Sequence, residues 1–198
     1  MGYSKYKKLK TVVKKFNLDA RSTPLFEIVT PCSPSGWLAD TLKKARIVPL
    51  NTEKAKAERI ISPILVEIAE FYQESVTLFS GEPLDVNVAD DLAGACDFFF
   101  VLHPHKPYIE SPIISLVESK NEDMEYGRAQ CAAQLYGAKL YNEAEGKEIP
   151  VLYGCATDGV EWQFIRFENN TFYIDNKIYT NLDEILGVWH QVLQFYLP

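Results

Sequence analysis

Residues 113–120 have the sequence IISLVESK. A run of β-branched and apolar residues that ends in charged ones is typical of a buried strand whose last residues reach a sheet edge. Side chains two positions apart in a strand point to the same face. One face is therefore expected to carry Ile114, Leu116, Glu118 and Lys120. Glu118 and Lys120 should then project the same way, at the point where the strand ends.

Two further strands are predicted on the N-terminal side of this segment. Residues 95–102 include three consecutive phenylalanines, and residues 84–88 alternate apolar and polar side chains. Residues 103–112 contain three prolines, which is typical of a connection between strands. We therefore predict a meander of three strands.

Helices are predicted on both sides of this meander. Thr52 is a good N-cap for a helix that runs to about Gln73, in which Pro63 should cause a kink or a break. Asn121 is expected to cap a second helix that runs to about Asn142.

The C-terminal part of the chain adds more strands and a last helix. Residues 149–156 form an apolar run that predicts a buried strand. Residues 161–167 and 171–174 predict a hairpin across Asn169-Asn170, and Asn181 resembles the N-cap of a final helix. This order of elements predicts an α/β fold with a mixed central sheet flanked by helices and a C-terminal hairpin plus helix.

The first 50 residues are predicted to be an N-terminal extension packed on the core, and residues 51–198 a single domain. The first 18 residues contain six lysines and no acid: Lys5, Lys7, Lys8, Lys10, Lys14 and Lys15. The remaining residues hold 14 basic and 27 acidic side chains, a balance of −13. Such a basic segment could contact phosphate, or it could be a solvated and frayed terminus.

Composition excludes several classes of protein. The four cysteines are scattered without a CxxC pair, which argues against a disulfide framework or a zinc ribbon and favours the cytoplasm. No stretch approaches the roughly 18 apolar residues of a membrane span, so no membrane partner is expected. A net charge of −7 argues against indiscriminate binding of nucleic acid.

Two acids and a lysine carry the chemistry that the sequence predicts. Asp97 lies 21 residues before Glu118, and Lys120 follows one pleat later. Mg²⁺ prefers oxygen ligands and keeps several waters, so Asp97, Glu118 and the backbone carbonyl of Ser119 would suffice to hold it. The bound ion activates a water, which Lys120 could orient, and this is the chemistry of phosphodiester cleavage.

This set of residues resembles the PD-(D/E)xK nuclease-like, or restriction-endonuclease-like, superfamily. The resemblance covers about residues 52–157, and it rests on a short motif and on the αβββαβ order of elements. The matching residues are Asp97, Glu118-Ser119-Lys120, Gln130 in the following helix and Glu58 in the leading helix. The chain departs from the motif at Cys96, which stands where many members have proline.

The resemblance implies a role for two more side chains. Gln130 would position the nucleophile or a phosphate, and Glu58 would reach the ion through water or bind a second ion. Glu58 and Glu67 flank opposite edges of the apolar face of their helix, so periodicity alone does not choose which of them is the helix acid.

The function predicted first is a Mg²⁺-dependent nuclease, with Mn²⁺ able to substitute, that acts on DNA as an endonuclease of a restriction or mobile-element system. Cutting both strands needs two sites, so a homodimer is one expected assembly, and a complex with a protein partner is another. The alternative is a non-catalytic binding or regulatory module with the same fold. A third interpretation is an unrelated α/β protein in which the motif is coincidental.

Overall fold

The computed structural model describes residues 2–120 and 123–197, and within them seven strands form one mixed sheet. In chain order they are β1 (Asp19–Thr23), β2 (Thr77–Ser80), β3 (Phe98–Val101), β4 (Ile113–Ser119), β5 (Val151–Thr157), β6 (Trp162–Glu168) and β7 (Thr171–Asp175). Their order across the sheet is β1-β7-β6-β5-β4-β3-β2. The pairs β1–β7 and β4–β5 are parallel, and the other neighbours are antiparallel.

Helices cover both faces of this sheet. They are α1 (Leu9–Phe16), α2 (Gly36–Ala45), α3 (Glu53–Lys56), α4 (Ser62–Phe71), α5 (Met124–Ala144) and α6 (Leu182–Gln194). A π-helical turn, Ala57–Ile61, joins α3 to α4. No helix in the described parts of the chain is long and apolar enough to cross a membrane.

Two hydrophobic clusters lie on opposite faces of the sheet. One cluster joins the sheet to α2, α4 and α6, and the other joins it to α1 and α5. Successive side chains of β3 point to opposite faces of the sheet. Phe98 and Phe100 therefore belong to the first cluster, and Phe99 and Val101 belong to the second. Strands β4 and β5 are buried along their whole length, as expected for parallel strands covered by helices on both faces.

The predicted fold class is confirmed at this level: the protein is an α/β fold with a mixed sheet flanked by helices. The predicted hairpin is present, with Asn169 and Asn170 in the left-handed region at φ 48° and 57°. The final helix is capped as predicted, because the side chain of Asn181 accepts a hydrogen bond from the Glu184 N–H.

The first predicted strand was wrong. Residues 84–88 form no strand, and the edge of the meander is instead β2, which pairs with β3. Gly81 has a φ of 70° and ends β2 after Ser80, and beyond it the chain pairs with residues 92–97 only through isolated bridges, such as that of Pro83 with Ala95. The alternating residues 84–88 lie in a loop, in which Leu84 is buried and Asn87 forms an isolated β-bridge with Leu92.

The face predicted for β4 needs one correction. Leu116 belongs to the cluster of α5, but Ile114 lies in the opposite cluster. The register between β3 and β4 shifts at this point, because Phe100 pairs with Ser115 and Val101 with Ile113. The alternation is therefore continuous only from Leu116 onward, and Glu118 stays on the face that α5 covers.

The two helices predicted beside the meander are present. The leading one begins after its N-cap Thr52 and passes through the π-helical turn just before Pro63, which stands in the first turn of α4. The predicted cap of the second helix, Asn121, lies outside the described residues. The observed cap of α5 is Asp123, whose carboxylate accepts a hydrogen bond from the Tyr126 N–H at 2.9 Å.

The first 50 residues pack on the rest of the molecule from Gly2 onward. Tyr3, Tyr6 and Val12 are buried against α5 and its neighbours, and β1 extends the sheet beside β7. Whether residues 51–198 form a domain by themselves stays a prediction.

Candidate functional site

The antiparallel pairing of β3 with β4 places Asp97 beside the end of the ExK triplet. Phe98 pairs with Val117, so the residue before one strand lies next to the residues that end the other. The Ser119 N–H donates a hydrogen bond to Asp97 Oδ2 at 2.7 Å. Burial raises the pKa of Asp97 above its ordinary value, and this hydrogen bond and the charge of Lys120 partly oppose the rise.

Glu118 is fully buried, and its two oxygens have different partners. Oε2 accepts a hydrogen bond from Gln134 Nε2 at 2.7 Å. Oε1 lies 2.7 Å from Lys120 Nζ, with which it forms a buried ion pair. Burial, followed by the charge of Asp97, raises the pKa of Glu118 to about 8.

Lys120 turns inward, with only 13% of its side chain exposed. Besides Glu118, its ammonium contacts Glu53 Oε1 at 3.1 Å and the Ser119 carbonyl oxygen at 3.0 Å. Burial lowers the pKa of Lys120, but the charges of Glu118, Asp97 and Glu53 outweigh it and raise the pKa above its ordinary value. Lys120 is therefore a cation at any physiological pH.

A cleft of about 490 Å³ opens beside these residues. Asp97 and Ser119 line its floor, Ser80 and Gly81 line one side, and α3 with the π-helical turn lines the other. Its acidic lining residues are Glu53, Glu58 and Asp97.

The structure separates the two acids between which periodicity did not choose. Glu58 lines the cleft with Asp97, where it is largely exposed and pairs with Lys54 at 3.7 Å. Glu67 instead hydrogen-bonds the N–H and the hydroxyl group of Ser35 at the start of α2. Of the two, only Glu58 is positioned to face a ligand of the cleft.

Gln130 lies apart from the acids and the lysine. It lines a different, smaller pocket, formed with Gly2–Ser4 and Ala93–Ala95. The amide that contacts Glu118 belongs to Gln134, which is one helical turn further along α5.

Sequence reasoning missed Gln134 and Glu53. Gln134 carries a signal, since it lies four residues after Gln130 and therefore on the same helix face. Glu53 carries a weaker one, because an acid directly after an N-cap is usual in any helix and does not by itself indicate a site.

The donor set fits one hard cation with open coordination positions. No group of three or more His, Cys, Asp or Glu side chains within residues 2–120 and 123–197 is arranged to hold a metal ion. A Mg²⁺ site nevertheless needs only one or two carboxylates, with water filling the other positions. Asp97 raises the pKa of Glu118, which shows that the two negative charges repel each other, so a cation beside the two acids would stabilise both charges.

Comparison with known proteins gives no match to any family model and no match to a curated protein. The functional argument therefore rests on the geometry of this site.

Proposed function

We propose that the protein is a Mg²⁺-dependent nuclease that hydrolyses phosphodiester bonds, with Mn²⁺ able to replace Mg²⁺. One observation carries the proposal: the ammonium of Lys120 lies 2.7 Å from an oxygen of buried Glu118, and Asp97, which accepts a hydrogen bond from the Ser119 N–H, lines an adjoining cleft with Glu53 and Glu58. A lysine and two acids in one place, next to space for a substrate, match the needs of phosphoryl-ester hydrolysis.

The order of elements around the site supports the proposal. Strands β2, β3 and β4 form an antiparallel meander, α5 crosses over, and β5 returns parallel to β4. With the leading helix of α3 and α4, this order of elements is compatible with the αβββαβ order that the resemblance to restriction-endonuclease-like proteins implies, and it supports the proposal to that extent. We extend the proposal to a DNA endonuclease that acts in the cytoplasm as a homodimer or with a protein partner.

The acids of the site would hold the ion. Asp97, Glu118 and the Ser119 carbonyl would be its protein ligands, with Glu58 contributing through water. When bound, the ion would lower the pKa of a water and offset negative charge on the phosphorus oxygens.

The side chain of Lys120 can act as a hydrogen-bond donor in the site but not as a general base. Because its pKa is raised, it keeps its proton and does not act as a general base. It can donate hydrogen bonds to the attacking water or to the oxygens that gain charge in the transition state. Glu53 and Glu118 hold it in place for either task.

Cleavage of plasmid and single-stranded DNA with Mg²⁺ or Mn²⁺ tests the proposal. Lys120→Ala and Asp97→Asn should each lower the rate by about 100-fold or more, because each removes charge from the site. Lys139→Ala and Glu143→Ala are matched controls, since these residues form a surface ion pair on α5, and they should cleave like the wild type. Equal rates in all five proteins, or no cleavage by the folded wild type, would contradict the proposal.

The alternative is a non-catalytic module that keeps the fold for binding. Its supporting observation is that Glu118 already has a partner for each oxygen without a metal ion, since Lys120 pairs with Oε1 and Gln134 donates a hydrogen bond to Oε2. Calorimetric titration with Mn²⁺ separates the two functions. A site that takes up no Mn²⁺ at millimolar concentrations would favour the binding module.

A further inference from the structure

The basic N-terminal segment, residues 2–16, is folded and fixed on the core. Two of its lysines serve as anchors: Lys5 contacts Asp91 at 2.7 Å, and Lys15 contacts Asp90 and Asp91 at 3.6 and 3.8 Å. Tyr3 is buried and donates its hydroxyl hydrogen to the Leu84 carbonyl. The segment therefore forms an ordered part of the protein surface.

Its other four lysines are exposed: Lys7, Lys8, Lys10 and Lys14. Within the described residues, none of them lies within 4 Å of an acidic oxygen, whereas the rest of the chain carries a large excess of acid. Lys10 and Lys14 are one helical turn apart on α1, so their charges are neighbours. This cationic row on an otherwise acidic molecule fits a polyanion.

The basic segment begins next to the candidate site. The hydroxyl of Tyr126, in the first turn of α5, donates a hydrogen bond to the Ser4 carbonyl at 2.7 Å. The ring of the same tyrosine lies 5.5 Å from Lys120 Nζ. One side chain therefore contacts both the basic segment and the lysine of the site.

A pocket of about 230 Å³ lies where the basic segment meets the loop that leads into β3. Its walls are Gly2–Ser4 and Ala93–Ala95, and Gln130 closes it from α5. Gln130 is only 7% exposed, and its Oε1 is buried without a hydrogen-bond partner. Oε1 is an acceptor and cannot pair with a phosphate oxygen, but the Nε2 group of the same amide makes no hydrogen bond within the described residues and can donate one to a phosphate oxygen in the pocket.

We propose that this surface, which consists of the Gln130 pocket and the four lysines, binds the sugar-phosphate backbone of the nucleic acid that enters the cleft. This inference deepens the proposed nuclease function and rests on it. Along α5, the segment extends from Tyr126, beside Ser4, to Tyr136, whose ring centroid lies 4.5 Å from that of Phe16. Ten helical residues span about 15 Å, which is the length of about four phosphates on one DNA strand.

An anionic membrane surface would also attract four lysines, but the structure favours nucleic acid. A helix that lies on a membrane needs a free apolar face. The apolar face of α1 is already occupied, since Val12 is buried and Phe16 packs on Tyr136 of α5.

Binding of a fluorescent oligonucleotide, measured by anisotropy in EDTA, tests the inference without cleavage. The variant that changes Lys7, Lys8, Lys10 and Lys14 to Gln should weaken binding about tenfold or more, and should lower the slope of log K against log salt by about 3. The matched control changes Lys43, Lys44, Arg46 and Lys147 to Gln. It removes the same charge from exposed positions off the basic segment, and it should bind like the wild type. Gln130→Ala should weaken binding with no change in the salt slope.

Several outcomes would overturn the inference. They are equal affinities for the lysine variant and the wild type, an equal loss in the control, or a preference for phosphatidylserine vesicles that depends on the same four lysines. Thermal unfolding of each variant shows that the fold is kept. The binding assay contains no metal, so binding and cleavage are tested separately. If the wild type binds through these lysines but never cleaves, only the nuclease proposal is contradicted. If it cleaves normally and its binding does not depend on the lysines, only this inference is contradicted.

Discussion

At the scale of single residues, Glu118 is the side chain on which the chemistry depends. Alternation along residues 116–120 predicted correctly that it and Lys120 would point the same way, because a strand has a strict period of two. The partner of its other oxygen was not predicted. Gln130 and Gln134 share a helix face, and the position of α5 along its own axis relative to β4 decides that Gln134 makes the contact.

Glu118 should give the protein a distinctive dependence of stability on pH. Its pKa is about 8 in the folded protein, so the folded state holds this proton more tightly than the unfolded chain does. This contribution is therefore fully present below the ordinary pKa of a glutamate and is lost as pH rises through about 8. Between pH 5 and 8, the free energy of unfolding of the wild type should fall relative to Glu118→Gln, by on the order of 3–5 kcal/mol.

Urea unfolding followed by circular dichroism at several pH values measures this difference. Glu143→Gln, at an exposed position on α5, is the control and should keep the pH profile of the wild type. Mg²⁺ should raise the melting temperature of the wild type more at pH 8 than at pH 5, because the ion competes with the proton. Parallel profiles for the wild type and Glu118→Gln would show that Glu118 titrates normally in the folded protein.

At the scale of elements, helices and strands that are marked by a pattern within their own residues were predicted well. Asn169-Asn170 predicted the hairpin because a type I′ turn needs two residues that tolerate positive φ. The apolar run of β4 predicted a buried strand. The edge strand β2 was missed, because Thr77–Ser80 is short and half-buried. The alternation in residues 84–88 belongs to a loop, in which Leu84 is buried but Val88 is 73% exposed.

The packing of α5 on β5 holds Gln134 next to Glu118, and this close packing depends on Gly154. A Cβ at this position would lie 2.6 Å from Cys131 Sγ and 2.8 Å from Leu135 Cδ1. Gly154→Ala should therefore lower the free energy of unfolding by roughly 1–3 kcal/mol, because α5 must shift. Gly36→Ala is the control, since a Cβ there meets nothing within 4 Å, and it should be neutral or slightly stabilising. Thermal unfolding compares the two, and equal melting temperatures would contradict the tight packing described for α5.

At the scale of the whole molecule, long-range pairing was the part that the sequence could not reveal. Strand β1 joins the sheet through a parallel pairing with β7, about 150 residues away along the chain, and no local pattern in residues 19–23 indicates it. The same holds for the basic segment. Its charge was evident, but its position beside Tyr126 depends on the packing of Tyr3, Tyr6 and Val12. The exposed lysines of the basic segment, on a chain whose other residues carry an excess of acid, give the charge distribution that the proposed binding of a polyanion needs.

Crystals soaked in Mn²⁺ and measured at an X-ray energy that reveals manganese by anomalous scattering give the most direct test. We expect one peak between the carboxylates of Asp97 and Glu118, beside the carbonyl of Ser119, and no peak there in Asp97→Asn. Manganese bound elsewhere, or an empty site at saturating concentration in crystals of the wild type, would contradict the assignment of a metal centre to these residues.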